Sequence, residues 1–190
     1  MANILIVYAT RQGQTEKIAR RIATVLRAQG HAAELFDADR PKETPALEGF
    51  QAVFVGAPIH AGGYPRSVVR FVEEHHASLE RVPSAFFSVG LAVASRTTDG
   101  RAETLPIVEK FILRTGWNPT RVELVAGALP YSKYNFLIRL VMRRISAKAG
   151  GDTDTSRDYE YTDWEGVDRF ASDFGARAVE ANPPVSANVG

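Results

Sequence analysis

No cysteine occurs anywhere in the chain. That excludes disulfides, thiol nucleophiles, iron–sulfur ligation and cysteine-type zinc sites, and it fits a reducing compartment such as the cytoplasm. No apolar run approaches the ~20 residues that a membrane-spanning helix needs. The opening residues 3–8 are too short, with the wrong flanks, for a secretory signal. A soluble or peripheral protein is expected. Charge of one sign is also missing: 23 Lys and Arg face 22 Asp and Glu, for a net charge of +1. With acids and bases mixed over most of the length and no recognisable binding motif, nucleic acid is not an expected partner. No metal set or Ser/His/Asp grouping is visible. His75 and His76 are adjacent on a predicted helix and point apart. The Asp-x-Asp spacing of Asp152 and Asp154 suits a calcium pair or a capped turn, and the turn is the reading taken.

What is present is ordinary globular material, 45% hydrophobic and 24% charged, arranged as strands alternating with helices. Residues 4–8 are a continuous apolar, β-branched run, the mark of a strand buried on both faces. Residues 15–29 carry Ile18, Ile22, Val25 and Leu26 on one stripe and end at Gly30, which predicts an amphipathic helix. Further strands are predicted over 31–37, 52–57, 85–89 and 122–128. Further helices are predicted over 65–79, 103–114 and 163–179, the last capped by Asp163. Residues 40–49 and 95–101 read as loops. Alternation of this kind means a doubly wound α/β fold: a parallel sheet covered by helices on both faces. One domain over residues 1–180 is expected, with an insertion at about 130–162 and a disordered tail at 181–190.

In an open α/β sheet, ligands sit beyond the carboxyl ends of the strands, where strand order reverses. The first predicted strand ends at Tyr8 and a helix begins near Thr15, so Thr10, Arg11, Gln12, Gly13, Gln14 and Thr15 form a strand–helix junction. Such a junction offers unpaired N–H groups and the positive end of a helix dipole, both suited to phosphate. Gly13 permits a tight turn, and Thr10 and Thr15 supply hydroxyl donors. The spacing matches neither GxGxxG nor GxxxxGK[ST], which disfavours dinucleotide and nucleoside triphosphate sites. A plain β–α turn is the alternative that the loop alone leaves open.

The junction resembles the T-x-x-G-x-T phosphate loop of flavodoxins. The resemblance implies a five-stranded sheet of order 2-1-3-4-5 and an FMN site. Two further loops fall where that family encloses the flavin: Pro58, Ile59, His60, Ala61 and Gly62 after the third strand, and Ser88, Val89, Gly90, Leu91 and Ala92 after the fourth. Ile59, His60 and Tyr64 are candidates for one wall of the flat ring, and Leu91 or Val93 for the other. Backbone groups of these loops would face the polar ring edge. His60 is the only histidine in a predicted site loop, a candidate for lining the flavin or shuttling a proton. Neither loop has the tryptophan with which a flavodoxin usually stacks the ring.

Roughly thirty-five residues separate the fifth predicted strand from the last helix, far more than an ordinary connection. Residues 135–149 are helical in pattern: Leu137, Leu140 and Val141 lie together, Ile138, Met142 and Ile145 beside them. Between Pro130 and Ala149 stand Lys133, Arg139, Arg143, Arg144 and Lys148, with no acid. Such a helix either packs on the domain with its basic side in water or lies on an anionic membrane or partner.

The runs at 83–89, 126–131, 150–155 and 161–164, with the basic helix, resemble the flavodoxin-like, quinone-dependent protoporphyrinogen oxidases of bacterial haem synthesis, over about residues 3–174. This likeness implies FMN-dependent oxidation of protoporphyrinogen IX to protoporphyrin IX, with menaquinone or ubiquinone as acceptor. It also implies a cytoplasmic protein that visits the inner face of the membrane through residues 131–149. Arg96 and Arg101, and further Arg66 and Lys133, are candidate partners for the substrate propionates. Two other functions are compatible with the fold: a flavodoxin-type electron carrier, disfavoured because carriers are usually acidic, and an FMN-dependent NAD(P)H:quinone reductase.

Overall fold

The computed structural model describes residues 1–41 and 45–180; the tail expected at 181–190 lies outside the described residues. Five strands form one sheet: β1 (Asn3–Tyr8), β2 (Ala32–Asp37), β3 (Ala52–Pro58), β4 (Ser84–Gly90) and β5 (Arg121–Ala126), in the order β2-β1-β3-β4-β5. Every pairing is parallel. The chain passes from β1 outward to β2 and then returns to the other side of β1 for β3. Strand order therefore reverses between β1 and β3, and the loops after those two strands face one another across the crevice.

The alternation of side chains along β1 explains its unbroken apolar sequence. Ile4, Ile6 and Tyr8 pack towards α1 (Gln14–Ala28) and α5 (Trp164–Glu180), while Leu5 and Val7 pack towards α2 (Arg66–Leu79) and α3 (Gly100–Thr115). Both faces are buried, so neither can be polar. On the first face, Phe54 meets Phe170 and Phe174 edge-on at ring-centroid distances of 5.4 and 4.7 Å. On the second, the buried Trp117 donates its indole N–H to Ser84 Oγ at 3.0 Å, which satisfies its one polar atom. Gly56 of β3 makes room for the Phe87 ring: a Cβ there would lie 1.8 Å from a ring carbon.

Three differences from the sequence-based elements have local causes. α3 begins at Gly100, because the Asp99 carboxylate accepts hydrogen bonds from the N–H groups of Arg101 and Ala102, each at 3.1 Å. The predicted loop over 95–101 therefore closes early. β5 stops at Ala126, and the chain pairs again as β6 (Ala128–Leu129), antiparallel to β7 (Tyr159–Glu160). Within the loop predicted at 40–49, Leu47–Gly49 forms a single 3-10 turn, and residues 42–44 lie outside the described residues.

α4 (Phe136–Lys148) lies between β6 and β7 in the chain and joins neither hydrophobic cluster. Asn135 caps it, its side-chain oxygen accepting from the Ile138 N–H at 2.9 Å. The less exposed stripe is Arg139, Met142, Ser146 and Ala149, and of the helix's own residues only Ser146 is buried. The large apolar residues point elsewhere: Phe136 is 78% exposed and Leu137 71%. This is the reverse of an ordinary surface helix, whose apolar stripe faces its own core.

Candidate functional site

The junction between β1 and α1 is held open by its own hydrogen bonds. Ala9 N–H donates to Gly56 O at 3.1 Å, which fixes the loop's start on β3. Thr10 N–H donates to Asp39 Oδ2 at 3.1 Å, and Thr10 Oγ1 accepts from Gly13 N–H at 2.9 Å. Gly13 has φ +97°, a left-handed conformation that favours glycine. The first helical bond runs from Lys17 N–H to Gly13 O. Consequently the N–H groups of Arg11, Gln12, Gln14, Thr15 and Glu16 have no acceptor among the described residues. The acidic side chain in this turn, Glu16, is drawn along the helix by Arg20 at 2.8 Å. Free N–H donors at a helix N-terminus fit a phosphate monoester, which is the group FMN would present.

Lys133, expected beside the substrate, is placed against this same loop. Its ammonium donates to Gln12 O and lies 3.6 Å from where a Cβ on Gly13 would be. A side chain of the insertion thus bonds to the β1–α1 loop. A second tie runs through polar atoms: Gln14 Nε2 donates to Thr162 Oγ1 at 2.9 Å, and Thr162 Oγ1 donates to Ala126 O at 2.7 Å. The Lys17–Glu160 ion pair adds a third.

The loops after β3 and β4 touch one another. Ile59 N–H donates to Val89 O at 2.8 Å, and a Cβ on Gly90 would lie 3.2 Å from Ile59 Cδ1. His60 and Gly63 exchange bonds of 2.9 and 3.1 Å around Ala61 (φ +49°) and Gly62 (φ +74°), a hairpin turn with both central residues left-handed. For alanine that conformation costs about 1–2 kcal/mol, a strain retained at the tip of the loop after β3. His60 is exposed and shares a crevice with Arg11, Asp39 and Arg66 between the β1 and β3 loops.

Tyr64, a candidate ring wall, is half-buried: it borders this crevice and also packs inward. Its ring packs edge-on to Phe86 and Phe111 at 5.1 and 5.0 Å, and its hydroxyl meets Ser88 Oγ at 2.7 Å. A partner for the hydroxyl at the end of β4 lets the ring turn inward, where burial raises its pKa to about 12. Ser88 is consequently buried and engaged with Tyr64. Leu91, Ala92 and Val93 remain half-buried on a short turn.

Sequence reasoning missed the residue that seats this turn. Gly100, the first residue of α3, lies so close that a Cβ would sit 1.7 Å from Ala92 O. Helix α3 therefore presses directly on the β4 loop, and only glycine fits at the contact. The one signal in the sequence was the Asp99-Gly100 pair, a common cap and turn dipeptide.

Beyond the β4 loop stand Arg96 and Arg101, both exposed. The C-terminal end of α4 is fastened here: Arg96 N–H donates to Ala149 O and Thr97 Oγ1 to Lys148 O, each at 3.0 Å. Behind this seam, Asp152 O accepts from Tyr131 Oη at 3.0 Å and from Ser146 Oγ at 2.7 Å, and Asp152 Oδ2 accepts from Tyr161 Oη at 2.9 Å. Burial and the neighbouring Asp152 push the Tyr161 pKa up to about 12. Asp154 instead accepts from the Ser156 N–H and hydroxyl. The two carboxylates are thus committed to separate partners, as in a capped turn.

A parallel 2-1-3-4-5 sheet with a phosphate-type loop after β1 and contacting loops after β3 and β4 defines the flavodoxin class of α/β protein. The chain belongs to the flavodoxin-domain family, whose model matches residues 5–156. Membership indicates FMN as the cofactor, in keeping with the free donors of the β1 loop. Within the family, the chain is 38% identical to the "Protoporphyrinogen IX dehydrogenase [quinone]" of Escherichia coli K12, over 88% of this chain and 91% of that one. A protein of the same name from Leishmania major is 35% identical over 97% of this chain and 79% of that one. Among solved structures, a short-chain flavodoxin associated with a PDU bacterial microcompartment superposes with a TM-score of 0.58. That match has 14% identity and spans 94% of this chain and 99% of the other. At that identity the likeness concerns the fold alone.

Proposed function

We propose that this protein oxidises protoporphyrinogen IX to protoporphyrin IX and passes the electrons to a membrane quinone, using FMN held by the loops after β1, β3 and β4. The observation that carries the reading is identity of 38% across nearly the whole length of both chains with a dehydrogenase of that name, including the inserted segment that a short flavodoxin has no use for. FMN supplies the reversible two-electron chemistry, so the protein needs few acid–base groups of its own. Its residues have three tasks. The N–H groups of Arg11, Gln12, Gln14, Thr15 and Glu16 bind the phosphate. Ile59 and Leu91, from two loops that are hydrogen-bonded to each other, flank the ring. Arg96 and Arg101, exposed beyond the β4 loop, pair with the substrate propionates by charge-assisted hydrogen bonds.

The same reading assigns α4 to the inner membrane face. No helix among the described residues is long and apolar enough to cross a bilayer. A helix that shows Leu137, Leu140 and Val141 to solvent beside Arg144 and Lys148, in a segment without acids, suits the interface of an anionic membrane. The test is an anaerobic assay of the FMN-loaded protein with protoporphyrinogen IX and a menaquinone analogue, following protoporphyrin fluorescence. Turnover that requires both FMN and quinone is the expected result. A protein with a normal flavin spectrum and no turnover contradicts the proposal. Unchanged substrate KM in Arg96→Ala and Arg101→Ala removes those two residues from the propionate site.

A further inference from the structure

A cavity of about 300 Å³ lies between the β4 loop and the C-terminal end of α4. Leu91, Ala92 and Ala94 form one wall and Ile145 and Ala149 the other. Most of its surface is apolar; the hydroxyls of Ser95 and Thr98, 2.9 Å apart, stand on the loop side, Thr97, Ser146 and Tyr161 add three more, and the exposed Glu103 and Lys148 border it. We infer that this cavity is the binding site of the quinone head group, an inference that rests on the function proposed above.

Three observations support it. The first is composition: a mostly apolar hollow with hydroxyl donors, its charged Glu103 and Lys148 both exposed, suits a flat, neutral ring bearing two carbonyls. The second is size. Ligand pockets run from about 300 to 1,000 Å³, so this one lies at the small end and suits a bicyclic ring rather than a macrocycle. The third is position. Leu91 and Ala92 belong to the loop that flanks the flavin, so the cavity shares a wall with the redox centre. At its other end Ile145, which lines the cavity, is 47% exposed and continues into the apolar surface of α4. A lipid-soluble acceptor reaching α4 from a membrane therefore meets Ile145 at the cavity mouth, with the exposed Lys148 beside it.

The cavity is built rather than incidental. Its two walls are joined by the bonds from Arg96 N–H to Ala149 O and from Thr97 Oγ1 to Lys148 O. The turn that closes α4 is locked by Gly151 N–H to Ser146 O at 2.8 Å and by Ser146 Oγ to Asp152 O. The insertion thus does more than approach a membrane: it completes a pocket that the sheet and its loops lack by themselves.

The test uses the whole protein and two readouts. A photoreactive azidonaphthoquinone, irradiated with flavin-free and FMN-loaded protein and mapped by mass spectrometry, should label residues 91–98 and 145–151, with menadione protecting. Filling the cavity in Ala149→Leu, or from the opposite wall in Ala94→Leu, should weaken menadione binding by about tenfold or more, a change of about 1.4 kcal/mol. The second variant keeps the test open if the first does not fold. Bleaching of the flavin by protoporphyrinogen should proceed at the wild-type rate in both. Adducts confined to residues 59–64, or folded variants with wild-type menadione affinity, overturn the assignment. Absence of porphyrinogen-driven bleaching in the wild type, with labelling still at 145–151, would refute the substrate and leave the quinone site supported.

Discussion

Phe54 and Leu137 are both large apolar side chains, yet the first has no exposed surface and the second exposes 71% of its own. Phe54 belongs to the sheet and its covering helices, where each strand residue meets a neighbour on either face. Leu137 belongs to α4, which has no layer above it. The sheet half is held by apolar burial. The inserted segment is tied to the sheet half by polar contacts, Lys133 on Gln12 O, Gln14 on Thr162, Lys17 on Glu160 and Arg96 N–H on Ala149 O, and braced within itself by Ser132 on Asp158 and Tyr161 on Asp152. On the proposed reading, this difference separates stability from acceptor chemistry. A rigid sheet fixes the cofactor loops, while the attached segment can present an apolar surface that a core could never spare.

The largest effect should come from breaking the first half. Phe54→Ala removes a ring packed on Phe170 and Phe174 and should cost about 3–5 kcal/mol, whereas Leu137→Ala should stay within about 0.5 kcal/mol. Denaturant unfolding of the pair checks this; equal losses would erase the distinction. Next in size, Gly100→Ala drives a methyl into Ala92 O and should cost about 1–3 kcal/mol. It should also release FMN, read by flavin fluorescence, because the displaced backbone belongs to the loop proposed to flank the ring. Retention of FMN at wild-type affinity would mean that α3 does not seat that turn.

Smaller changes sharpen the contrast. Ala61→Gly should stabilise the protein by about 0.5–1 kcal/mol, the relief of about 1–2 for left-handed alanine less the greater chain entropy of glycine. A lower Tm would show that the turn is not strained. The pH dependence should separate the halves as well. Tyr161 has a raised pKa, about 12 against an ordinary 10, so its contribution is complete below pH 10 and lost as pH rises through 12. Asp158 has a lowered pKa, because the Ser132 hydroxyl and N–H bind its carboxylate. Its contribution is present above pH 3.8 and lost as pH falls through the lower folded value. Both groups brace the insertion from within. Tyr161→Phe should therefore cost about 1 kcal/mol or less at neutral pH and nothing once the wild-type phenol has ionised, as unfolding at a series of alkaline pH values will show.

Much of the sheet half was legible because both its periods and its punctuation are local. A β-branched run, Gly13 in a strand–helix junction and Gly30 after an apolar stripe each announce themselves within a few residues. The insertion was legible only as a helix. Periodicity says that Leu137, Leu140 and Val141 share a side; it does not say whether that side meets a core or solvent. The remaining gaps are long-range. Two-residue strands such as β6 and β7 carry no pattern of their own. Lys133 reaches the phosphate loop across 121 positions of sequence. Tyr64, in the loop after β3, finds its hydroxyl partner in Ser88 of β4, 24 positions away.

The most direct measurement is anaerobic stopped-flow on FMN-loaded wild type and on the double variant Leu137→Glu, Leu140→Glu, with protoporphyrinogen as reductant and menaquinone in anionic vesicles as oxidant. In the variant, flavin bleaching by protoporphyrinogen and reoxidation by water-soluble menadione should match the wild type, while reoxidation by vesicle-borne quinone should fall by about tenfold or more. Equal reoxidation by vesicle-borne quinone in both proteins would contradict the division between a cofactor-holding sheet and an acceptor-facing insertion.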